Sequence, residues 1–98
     1  MAGVTYEELL TLGRSLEDQS LTTVTGREFS VGVSRTGELV FTPASSGFAQ
    51  SDGRKAAERF LTRYNETGSL RPGDYADVSR NASYIIGLLI AAGGTGPA

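Results

Sequence analysis

"REFSVGVSRTGELVFTP", residues 27–43, decides what kind of chain this is. Phe29, Val31 and Val33 alternate with Ser30, Gly32 and Ser34, the period of a strand that buries one face and wets the other. Arg35-Thr36-Gly37-Glu38 follows as a hairpin turn, with Gly37 free to take a positive φ. "ELVFTP" is the return strand, and Pro43 stops it because proline has no amide to give to the ladder. Upstream, the β-branched "LTTVT" before Gly26 predicts a third strand, completing an antiparallel meander.

The segments on either side read as helices. In "VTYEELL", Thr5 and Glu8 have capping-box spacing, with Val4 and Leu9 placed as the accompanying staple. Tyr6, Leu9, Leu10, Gly13 and Leu16 then recur at helical spacing, predicting a helix to about residue 18, with Gly13 allowing close approach on its buried face. After a polar loop at 43–51, Ser51 or Asp52 can cap a second helix. Ala57, Phe60, Leu61 and Tyr64 form its apolar stripe, and Gly68 ends it. "SLRPGD" reads as a turn, and Asp74 as the N-cap of a last helix carrying Tyr75, Val78, Ala82, Ile85, Leu89 and Ala92. Ile86, Leu88 and Ile90 make the far end of that helix apolar all round, which requires burial inside the domain or against a second chain. The expected fold class is α+β: a two-layer sandwich with an N-terminal helix, a two- to three-stranded antiparallel meander and two C-terminal helices. A single domain over 1–92 is expected, with a flexible tail at 93–98.

Composition narrows the chemistry. The chain has 98 residues, 39% of them hydrophobic and 20% charged, the proportions of one globular domain. Cysteine and histidine are both absent, which removes disulfides, thiolate nucleophiles and the commonest metal ligand and acid–base group. No apolar run is long enough for a membrane span, and Glu7 and Glu8 interrupt any signal-peptide pattern, so a cytoplasmic location and no membrane partner are expected. Asn65-Glu-Thr67 and Asn81-Ala-Ser83 match the glycosylation pattern, read here as coincidence.

The net charge of −2 argues against strong non-specific nucleic-acid binding. The charge is nevertheless uneven: residues 1–50 carry three basic against six acidic side chains, and residues 51–98 six against five. Eight of the nine basic residues are arginine, which suits bidentate contacts to phosphate or carboxylate and is also what a GC-rich genome produces.

Lys55, Arg59 and Arg63 stand four apart on the second helix, with Arg54 at its start. Such a stripe can follow phosphates, helped by the amides of the helix N-terminus and by the preceding Ser/Gly loop. It is equally a solvated face tempered by Glu58 and Glu66. No phosphate-loop spacing is present, and Asp52 at the mouth opposes an anion. The α-β-β-β-α order followed by "GRKAAERFL" is similar, over residues 5–64, to the double-stranded-RNA-binding domain, whose second helix opens Lys-Lys-x-Ala-Lys. Arg54 and Lys55 match the first pair. Glu58 replaces the last lysine and the loop has no Gly-Pro-x-His, so the likeness is one of topology. Arg80, Asn81 and Ser83 could read base edges from the last helix, or form an ordinary polar first turn.

Catalysis has little to draw on. Glu7–Glu8 and Glu17–Asp18 diverge around a helix, Ser45 and Ser46 have no histidine, and no carboxylate metal loop occurs. No enzyme activity, cofactor or metal is expected. The leading expectation is a non-enzymatic nucleic-acid-associated module using Arg54, Lys55, Arg59 and Arg63 with Ser46 and Arg71. The alternative is a protein-interaction or inhibitor module, in one version a homodimer, that uses Ile86 and Ile90 of the apolar last helix.

Overall fold

The structure is a computed structural model that describes residues 3–51 and 53–92. Its order is α1 (Tyr6–Ser15), β1 (Leu21–Thr22), β2 (Glu28–Val33), β3 (Leu39–Pro43), α2 (Gly53–Thr67), a 3-10 turn (Pro72–Tyr75) and α3 (Ala82–Ala91). This is the expected α+β arrangement. The tail at 93–98 and the capping role of Asp52 lie outside the described residues.

The three strands form an antiparallel meander in the order β1-β2-β3. Its register pairs Val31 with Phe41 and Val33 with Leu39, with Gly37 at φ +81° in the turn between them. Phe29, Val31, Leu39 and Phe41 are buried, so the alternation in the sequence is the alternation of faces. β1 forms, but it pairs over two residues only, Leu21 with Phe29 and Thr22 with Glu28. Thr23 ends it by turning: its amide donates to the Arg27 carbonyl at 2.9 Å, and its hydroxyl accepts from the Arg27 amide at 3.1 Å. A β-branched run predicts strand by propensity, and here side-chain-to-backbone bonding wins instead.

α1 carries the predicted capping box, with the Glu8 amide donating to Thr5 Oγ1 at 3.1 Å and the Thr5 amide to Glu8 Oε1 at 2.9 Å. A Cβ on Gly13 would lie 2.7 Å from Leu39 Cδ2, so α1 rests directly on the sheet. α2 lies against α1. The Asn65 amide group both donates to the Val4 carbonyl at 3.0 Å and accepts from the Val4 amide at 2.8 Å, which gives this glycosylation-like position a structural task.

The last helix departs most from expectation. Helix α3 begins at Ala82, with Asn81 as N-cap, and not after Asp74. Tyr75 and Val78 belong to the 3-10 turn and the single helical turn that follows it. The Ser79 hydroxyl accepts the Asn81 amide at 3.1 Å, and Ser79 and Asn81 are themselves buried, so a side-chain-to-backbone bond interrupts the pattern that reads as one helix. Ala82, Ile85, Ile86, Gly87, Leu88 and Leu89 are all buried, which makes α3 the centre of the core. A Cβ on Gly87 would lie 2.9 Å from Phe29 Cε1 and 3.0 Å from the Thr22 carbonyl oxygen. Apart from Ile90, the apolar circumference of α3 expected to need burial is taken up inside the domain. Among the described residues, no helix is long and apolar enough to cross a membrane.

Candidate binding surface

The helix cations do not gather into one surface. Arg54 and Arg63 are nine residues apart, about 2.5 helical turns, which puts them on opposite flanks of α2. Arg54 turns toward α1: its Nε sits 3.2 Å from Glu58, its Nη2 3.9 Å from Glu7, and its guanidinium 4.9 Å above the Tyr6 ring. Tyr6 is itself anchored, donating from its hydroxyl to the Gly37 carbonyl at 2.8 Å, and its burial raises its pKa.

Arg63 turns the other way. It grips both carboxylate oxygens of Asp77, with Nη2 at 3.0 Å from Oδ2, and its Nη1 donates to the Asp74 carbonyl at 2.8 Å. That clasp fixes the segment after the 3-10 turn to α2. Arg71 lies beyond it, highly exposed and 3.6 Å from Asp74. Lys55 and Arg59 alone of the expected helix cations make no ion pair among the described residues. They share an outer face of α2.

The Arg63 hydrogen bonds hold the Asp77 carboxyl below its ordinary value of about 3.9. A depressed folded-state value means the pair's contribution is complete above the unfolded value and is lost as pH falls through the folded one. The urea midpoint difference between wild type and Asp77→Asn should therefore persist at pH 6 and shrink on acidification below about pH 4. A difference independent of pH would show that the clasp does not act through the carboxylate charge.

Ser46 is part of a different construction, the loop at 43–51. Both ends of this loop are held by backbone bonds. Phe41 and Gln50 exchange amides and carbonyls at 2.8 and 2.7 Å, Ala44 donates to Glu28 at 2.9 Å, and Gly47 donates to Pro43 at 2.8 Å. Ser46 Oγ accepts the Phe48 amide at 3.3 Å, so its hydroxyl shapes the loop. At the tip stands Phe48, 76% exposed. Of the described large apolar side chains, Val24 and Ile90 are also exposed, at 47% and 42%. The pair expected at an interface thus splits: Ile86 is fully buried and only Ile90 reaches the surface.

Among the described residues, concavities border the loop on three sides. One of about 650 Å³ is lined by Arg27, Glu28, Ser45 and Tyr84 among others. Tyr84 forms its aromatic wall, stacked on Phe41 at 5.6 Å. A second, of about 520 Å³, is lined by Ala49, Gln50, Ser51, Arg80 and Asn81. The third, of about 340 Å³, runs from Glu17 and Asp18 to Ala44 and Gly47. Asn81 is 3% exposed, which removes it from any base-reading role, while Arg80 is exposed.

Periodicity could not have found Phe48, because it belongs to no helix or strand. The one signal available was a lone large apolar residue inside a Ser/Gly/Gln loop. Arg27 and Tyr84 gave none, since only the fold brings them beside that loop. No family model, curated protein or solved structure matches the chain. The likeness to double-stranded-RNA-binding domains therefore remains one of element order.

Proposed function

We propose that this chain is a non-enzymatic protein-binding module whose contact surface is the loop at 43–51, with Phe48 as its anchor. The observation that carries the reading is Phe48 itself, 76% exposed on a loop tied to the sheet by three backbone bonds and closed internally by a fourth. An aromatic ring held in water by a pre-formed loop gains by burial against a partner, and little ordering entropy opposes it. Such aromatic anchors carry a disproportionate share of interface energy.

The test is selection of peptides from a random display library on the whole chain, followed by titration of the selected peptides against wild type and Phe48→Ala. Phe48→Ala should leave the melting temperature within about 2 °C, because the ring is exposed, and weaken peptide binding by more than about tenfold. Peptides that bind both proteins equally would remove the loop from the site.

Nucleic-acid association is a second reading. Lys55 and Arg59, exposed and without ion pairs among the described residues, favour it in a narrower form than the full set of Arg54, Lys55, Arg59, Arg63, Ser46 and Arg71. In a salt series with DNA and RNA oligonucleotides, phosphate contacts would give affinity that falls with salt and disappears in Lys55→Glu/Arg59→Glu. Equal weak signals from the variant and wild type would dismiss it.

A further inference from the structure

The loop at 43–51 separates charges of opposite sign. On the side of its first half, Glu17 and Asp18 line the concavity that reaches Ala44 and Gly47. On the side of its second half, Arg80 lines the concavity shared with Ala49, Gln50 and Ser51. None of these three charged groups makes an ion pair among the described residues, although Glu17 accepts the Val33 amide at 3.4 Å. In the chain Phe48, exposed, separates Gly47, which lines the first concavity, from Ala49, which lines the second. Arg27 and Glu28, at the remaining cleft, are of opposite sign and leave that side balanced.

We infer that the partner at this loop is a second copy of the same chain, docked about a two-fold axis near Phe48. This rests on the protein-binding reading above and names its partner. A two-fold interface is isologous: if a residue of one copy meets a given residue of the other, the reverse contact occurs as well. A surface that is acidic on one side of an apolar anchor and basic on the other is complementary to itself under that rotation. Glu17 and Asp18 of each copy then face Arg80 of the other, while the two Phe48 rings leave water together. A uniformly acidic or basic partner would meet one flank with like charge. Each charge contact occurs twice, and so does each substitution.

Sedimentation velocity from about 1 μM to 1 mM tests the inference. Wild type should pass from monomer to dimer across the series, with a dissociation constant that rises with salt. Phe48→Ala should raise that constant more than about tenfold. Arg80→Glu alone, and Glu17→Lys/Asp18→Lys alone, should each weaken the dimer by about fivefold or more, because like charges then face one another. The combined charge swap should restore it toward the wild-type value. All four positions of substitution are exposed, and unchanged far-ultraviolet circular dichroism identifies any variant that fails to fold. A monomer throughout, or a dimer indifferent to Phe48→Ala or to the swaps, would overturn the inference. A monomer that still binds selected peptides through Phe48 would overturn it alone, leaving the loop reading in place. Loss of both would end the two together.

Discussion

Replacing Phe60 by alanine is expected to lower the unfolding free energy by about 3–5 kcal/mol. Its ring is fully buried, with its centroid 4.1 Å from that of Tyr75 and 6.2 Å from that of Tyr64. Truncation removes the transfer energy of a whole aromatic side chain and leaves a void that neither tyrosine can fill. Tyr75 is tied by its hydroxyl to the Ser69 carbonyl at 2.7 Å, and Tyr64 belongs to the helix. The loss compares with a total stability of about 5–15 kcal/mol for a domain of this kind. Urea unfolding followed by circular dichroism measures it, and the melting temperature should fall by at least about 12 °C. A cost under about 1 kcal/mol would mean that α2 is not seated on the 72–75 turn.

Ile86→Ala should cost about 2–5 kcal/mol, and Ile90→Ala less than about 1 kcal/mol. The two residues lie four apart on one helix and have the same chemistry, so the contrast isolates burial. Ile86 is completely enclosed, on a helix that touches the sheet, α1 and the 3-10 turn, whereas Ile90 is 42% exposed. Both variants should keep the wild-type m-value, because neither alters the surface exposed on unfolding by much. Equal costs at both positions would contradict the placement of α3 at the centre of the core. A large effect of Ile86→Ala on self-association, with folding stability unchanged, would return that residue to an interface.

Much of this fold was legible because its determinants are local. The hairpin at 28–43 follows from an alternation of period two and a glycine in the turn. The start of α1 follows from Thr5 and Glu8, three residues apart. The apolar last helix had two possible destinations, inside the domain or against another chain, and periodicity has no means of choosing between them. Its start at Ala82 is not legible from the period, because the Ser79 hydroxyl takes the Asn81 amide, a side-chain bond that a hydrophobic period does not register.

The candidate surface was much less legible. Spacing of four along α2 groups Lys55, Arg59 and Arg63, yet Arg63 is drawn to Asp77 and Arg54 to Glu7 and Glu58. Glu58 is the only one of these carboxylates that shares the helix. The partners of a cation are set by which segments fold beside it, and that information is spread over the whole chain.

By itself, then, the order of residues determined the hairpin, the apolar faces and the capping of α1, because each depends on neighbours within a few positions, and composition alone removed histidine and cysteine chemistry. The tertiary structure alone decided that most of α3 is enclosed, that Arg54 and Arg63 turn to separate carboxylates, and that Phe48 stands exposed on a fastened loop. Those outcomes depend on contacts between residues far apart in the chain, and burial and charge pairing acquire values only when such contacts form.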